Sequence, residues 1–197
     1  NSEELTDWSR TKPIVIKGTE NYCDNVNIKV VEVDNEENII FEGKTIVENQ
    51  QFEINFTPEV ETDIEGKKYK CIVTDTCENS IEQEFTISKV DAVAPEATSG
   101  NEIKGDWAQS KDFTFTATDR GIGNISIAFN DIEDYELATK DGETYSRNYR
   151  FIGDVYNPTE AVVFYKDELG NVSTQTVILD KIDSTGPTIT GVALSKD

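Results

Sequence analysis

The chain has 197 residues, with 18 Lys and Arg against 39 Asp and Glu, no His and no Met, for a formal net charge of -21. A surface this anionic repels phosphate backbones and anionic headgroups, which argues against nucleic-acid partners and direct membrane insertion. Without His there is no Ser-His-Asp or Cys-His catalysis and no side chain with an unperturbed pKa near neutrality, and no apolar run approaches the ~20 residues that cross a bilayer as a helix.

Taken in chain order, apolar residues alternate with period two in short runs separated by polar, turn-forming residues, the pattern of half-buried strands. Ile14 and Ile16 open the series, followed by Val26, Ile28 and Val30. At Val30-Val31 the apolar parity switches to Val31 and Val33, which predicts a bulge or a strand buried on both sides. Phe52, Ile54 and Phe56 come next, then Tyr69, Cys71 and Val73, then Phe85 and Ile87. Further on the sets are Phe113, Phe115 and Ala117; Ile125, Ile127 and Phe129; Tyr145; Ala161, Val163 and Tyr165; and a last strand near Val172 to Leu179. No helical period is present, so an all-β protein is expected.

The second half repeats the first. Asp75-Thr76-Cys77-Glu78-Asn79 matches Asp167-Glu168-Leu169-Gly170-Asn171, and Val90-Asp91-Ala92-Val93-Ala94-Pro95 matches Ile182-Asp183-Ser184-Thr185-Gly186-Pro187, each pair 92 positions apart. Asp7-Trp8 matches Asp106-Trp107 at a spacing of 99. The change in spacing is a loop deletion inside a shared fold, so two homologous domains follow. The expected boundaries are 1–91 and 92–185, with 186–197 beginning a third repeat or a linker. Seven short strands in about 90 residues describe a β-sandwich of immunoglobulin type, giving two tandem immunoglobulin-like β-sandwiches of about seven strands each.

The turns carry a family resemblance. Asp119-Arg120-Gly121-Ile122-Gly123, Asp167-Glu168-Leu169-Gly170-Asn171 and Ile182-Asp183-Ser184-Thr185-Gly186-Pro187 resemble the D-x-G-x-G turn, D-x-x-G-N turn and closing I-D-x-T-x-P linker of immunoglobulin-like repeats in Gram-positive surface proteins. The resemblance covers nearly the whole chain. The first copy departs from it with Cys77-Glu78-Asn79 where Gly-Asn is usual, and around the earlier turn Ile122 and Asn124 stand where a Ser then an Ile are common. The resemblance implies an extracellular, secreted or cell-wall-anchored bacterial protein and a non-catalytic stalk or adhesion module whose partners are the adjacent repeats. The alternatives are a binding module for a host protein such as immunoglobulin or for a glycan, and accessory domains of a secreted glycosidase.

Most carboxylates sit in loops where a solvated turn explains them, so no catalytic set and no cofactor is expected. Asp75 and Asp167 read as turn caps, since Asp side chains bond nearby backbone amides. Asp119 and Asp167, with linker Asp91 and the acidic loop from Glu59 to Glu65, are the candidates for an oxygen-only calcium site. Trp8 and Trp107 occupy equivalent repeat positions, which favours packing over ligand contact. Tyr145, Tyr149 and Phe151 are the ligand-binding candidates, against a competing reading as core or rim residues.

Three cysteines permit three single pairings. Cys71 alternates with Tyr69 and Val73 and reads as a buried thiol in the core. Cys23 precedes Val26 in the loop after strand B, and Cys77 lies between strands F and G, which the sandwich brings to one end. A Cys23–Cys77 disulfide is expected, with Cys23–Cys71 the rival because inter-sheet bridges are common in this fold.

Overall fold

A computed structural model describes residues 7–59, 66–103 and 105–193, and among these every regular element is a β-strand. The chain divides into two compact units: Asn1–Val93 with Arg120–Gly123, and Ala94–Asp119 with Asn124–Asp197. The expected loop from Glu59 to Glu65 lies mostly outside the described residues.

The first unit contains β1 (Ile14–Thr19), β2 (Asn25–Glu32), β3 (Ile39–Ile46), β4 (Gln51–Phe56), β5 (Lys67–Asp75) and β6 (Ser80–Ile87). One sheet is the antiparallel pair β1–β4, and the other has the order β3–β2–β5–β6. Alternation places one set of side chains between the sheets: Val26, Ile28 and Val30 from β2, Tyr69 and Cys71 from β5, Phe52 from β4 and Ile87 from β6 form one buried cluster. The parity switch has the expected consequence, because the β2–β3 register shifts between Val30 and Val31 and both valines are fully buried. In the smaller sheet Gly18 faces Phe52 across the ladder. A Cβ on Gly18 would lie 2.3 Å from the Phe52 ring, so only glycine lets the ring lie flat over the strand.

The second unit contains β7 (Glu96–Ala97), β8 (Glu102–Ile103), β9 (Ser110–Thr118), β10 (Ser126–Phe129), β11 (Glu136–Leu137), β12 (Thr139–Asp141), β13 (Thr144–Ile152), β14 (Thr159–Lys166) and β15 (Val172–Leu179). Its sheets have the orders β12–β13–β9–β7 and β11–β10–β14–β15–β8. Their inner faces bury Phe115, Ala117, Ile127, Val163, Tyr165 and Val177 completely. A fully buried side chain of this size contributes about 1.5–3 kcal/mol by leaving water, so this face of the alternation fixes the sheet register.

The two units have six and nine strands among the described residues, where the repeat predicts about seven in each. The extra strands of the second unit are short pieces of two or three residues at sheet edges. Alternation over so few positions carries no period, which is why they are not legible in the sequence. The long strands correspond across the repeat: β5 and β14 lead into the matched turns, and β6 and β15 follow them.

Candidate functional site

At one end of the first unit two carboxylates hold the backbones of two cysteines. Glu20 accepts hydrogen bonds from the Tyr22 amide at 2.8 Å and the Cys23 amide at 3.1 Å. Asp75 ends β5 and accepts through one oxygen from the Cys77 amide at 2.8 Å and the Asn79 amide at 2.9 Å. Its other oxygen accepts from the Asn79 side chain at 2.8 Å. The Asn79 side-chain bond, more than the amides, holds the Asp75 carboxyl below its usual range.

These anchors leave the Cys23 and Cys77 sulfurs 3.8 Å apart, as free thiols joined by a weak hydrogen bond in which either can donate. The Cys77 thiol is pushed up chiefly by that bond, and further by the negative charges of Asp75 and Glu20. Cys71 sits apart on the inward face of β5, where burial raises its pKa. A cleft of about 690 Å³ opens beside it between β1 and β6, lined by Ile14, Ile16, Phe52, Val73 and Phe85 among others.

The matched turn of the second unit keeps the two Asp–Asn bonds without the thiols. Asp167 accepts from the Asn171 amide at 2.8 Å and from the Asn171 side chain at 2.6 Å, and both residues are buried. Asp119 brings a carboxylate oxygen within 4.8 Å of one from Asp167. Asp91, fully buried in the first unit, accepts from the Ile122 amide at 3.0 Å and from the Val93 amide at 3.4 Å. Asp91 and Asp167 thus serve backbone structure in their own units.

The aromatic ligand candidates are packing residues. Tyr145 and Phe151 lie in the core of the second unit, and Tyr149 packs against it. All three are on one face of β13, and two of them join a ring cluster in which Tyr149 lies 5.4 Å from Phe115 and Phe151 lies 4.8 Å from Phe129. The Tyr149 hydroxyl donates to the Ile127 carbonyl at 3.3 Å, and burial pushes its pKa up to about 12. Among the described residues the exposed aromatics are Tyr22, Trp107 and Tyr156, at 95%, 54% and 56% exposure, the last two with ring centroids 5.9 Å apart.

A feature missed in the sequence recurs in both units. Ser9 forms a parallel bridge with Val90, and Ala108 forms one with Ile182. The Ser9 amide donates to the Lys89 carbonyl at 3.2 Å and the Asp91 amide donates to the Ser9 carbonyl at 3.1 Å. The same two bonds appear as Ala108 to Lys181 at 3.2 Å and Asp183 to Ala108 at 3.0 Å. Lys89 adds an ion pair to Asp7 at 2.8 Å. In each unit the incoming segment is therefore clipped, in parallel, to the outgoing one. The signal was present in the recurrence of Asp-Trp at one end of the copy and Val/Ile-Asp at the other.

No family model matches the chain, and no curated protein matches it. Solved structures do. The chain is similar to dimeric latent PorU from Porphyromonas gingivalis, at 13% identity and a TM-score of 0.33, covering 91% of this chain and 22% of that one. It is similar to the human desmocollin-1 ectodomain at 15% identity and a TM-score of 0.35, covering 92% and 35%. The BSP domain of a biofilm-associated protein matches at 13% identity and a TM-score of 0.27, covering 90% and 30%. The chain spans less than two thirds of the length of each of these three.

Proposed function

We propose that this chain is a non-catalytic spacer from an extracellular, cell-wall-associated bacterial protein, holding a binding or catalytic domain away from the surface that bears it. The observation that carries this reading is the parallel clip present in both units. A pull on the two ends of a unit draws its incoming and outgoing segments in opposite directions. Because those segments run parallel, the pull acts along them and loads their hydrogen bonds together, in shear. An antiparallel pair loaded from one end would open bond by bond. The resemblance of the repeat turns to Gram-positive surface repeats supports the same reading, as does a charge of -21, which disfavours self-association.

Stretching the whole chain from its ends by single-molecule force spectroscopy under reducing conditions tests the proposal. Two separate unfolding events are expected, each freeing the ~75–80 residues between the clips, or roughly 255–270 Å at ~3.4 Å per residue. Extension without force peaks, or unfolding at the low force that unzips a hairpin, would overturn it.

A second reading, engagement of a glycan or a host protein, is favoured by one observation: the exposed Trp107–Tyr156 pair in the second unit. Aromatic rings with an apolar face and a polar tip suit such contacts.

A further inference from the structure

We infer that Cys23 and Cys77 are a thiol–disulfide couple that staples one end of the first unit and, when oxidised, withholds from extension the segment between them, a separation of 54 positions. The sulfurs already stand 3.8 Å apart, so a bond of ~2.05 Å requires about 1.8 Å of approach. Both backbones are fixed by carboxylates, Cys23 by Glu20 and Cys77 by Asp75, so the approach falls to side-chain rotation.

Cys23, Asp75 and Cys77 also bring ligand atoms within 4.8 Å of one another, as a metal site would. The Asp75 carboxylate, however, already accepts three hydrogen bonds that shape the turn. A metal drawing on it would dismantle the turn that positions Cys77, whereas a disulfide leaves that turn intact. Cys71 is no competitor, because it faces the core on β5, where it pairs with Val30 and Gln83.

The chemistry balances with a low-molecular-weight disulfide as oxidant. Cys77 is exposed and Cys23 is buried, so Cys77 reacts first. Its thiolate attacks one sulfur of the oxidant, forms a mixed disulfide and expels one thiolate. Cys23 then loses its proton, attacks the Cys77 sulfur and expels the second thiolate. The two thiol protons end on the two released thiolates, and the oxidant is reduced by two electrons as the cysteines are oxidised. The raised Cys77 thiol makes the first step slow at neutral pH and faster as pH rises. An oxidising extracellular compartment preserves the product.

The bond itself is independent of the spacer reading, while its effect on extension rests on it. The test treats the full chain with oxidised glutathione or with reductant, then uses intact mass, peptide mapping and force spectroscopy. Oxidation is expected to remove 2 Da, the mass of the two thiol hydrogens lost in forming one S–S bond, to link the Cys23 and Cys77 peptides, and to leave Cys71 alkylatable on unfolding. It is expected to shorten the first unit's extension by roughly 180 Å, at ~3.4 Å for each of the 54 positions that separate the two cysteines, and Cys77→Ser restores the full length. No loss of mass, or a crosslink to Cys71, overturns the inference. A Cys23–Cys77 crosslink in a chain that shows no force peaks upholds it and rejects the spacer reading instead.

Discussion

The two matched turns make opposite predictions from one backbone geometry. Glu78 has φ 67° and Gly170, its counterpart 92 positions later, has φ 87°. Both turns close with the same bonds: the Glu78 amide donates to the Asp75 carbonyl at 3.3 Å, and the Gly170 amide donates to the Asp167 carbonyl at 3.3 Å. A left-handed conformation costs an L-residue about 1–2 kcal/mol. The lower unfolded-chain entropy of a non-glycine residue offsets about 0.4–1 kcal/mol of this, leaving a net penalty of about 0.5–1 kcal/mol. A Cβ on Gly170 would meet nothing within 4 Å, so the backbone alone sets the cost there. Gly170→Ala is therefore expected to destabilise the second unit by about 0.5–1 kcal/mol, and Glu78→Gly to stabilise the first by about as much. Each unit holds one of the two tryptophans, Trp8 and Trp107. Urea titration followed by fluorescence, in Trp8→Phe and Trp107→Phe backgrounds and under reductant, reads each unit separately. A neutral Gly170→Ala together with a destabilising Glu78→Gly would refute the assignment of this strain to φ.

Gly18→Ala is expected to destabilise the first unit by about 1–3 kcal/mol, the usual cost of overpacking, because its Cβ would lie 2.3 Å from the Phe52 ring. A change below about 0.5 kcal/mol in the same titration would show that the ring moves aside freely. The Asp75 carboxyl is held below 3.8 by the Asn79 side chain first, with the Asn79 and Cys77 amides adding to it. A depressed carboxyl contributes stability that is present above its unfolded pKa and is lost as pH falls through the folded value. The stability gap between the wild type and Asp75→Asn should therefore hold from pH 7 to about 4 and shrink below 3.8. A gap that stays constant into acid would contradict it.

The sequence by itself determined what depends on near neighbours. Period-two alternation placed the long strands, the parity switch located the bulge at Val30-Val31, and Asp75 and Asp167 declared their turns through residues two to four positions away. The proximity of Cys23 and Cys77 was also legible, because a sandwich of this strand order brings those two loops to one end. Tertiary structure decided what depends on which surfaces meet. Tyr145, Tyr149 and Phe151 alternate, so they share one face of a strand, but alternation is blind to whether that face meets solvent or another sheet. Burial of Tyr145 and Phe151 in the core, with Tyr149 partly buried against it, shows that the face meets the other sheet. The parallel clips were hidden for a related reason. Each joins single residues from opposite ends of a copy, Ser9 with Val90 and Ala108 with Ile182, and a one-residue bridge has no period to read. Only closure of the whole sandwich brings those ends side by side.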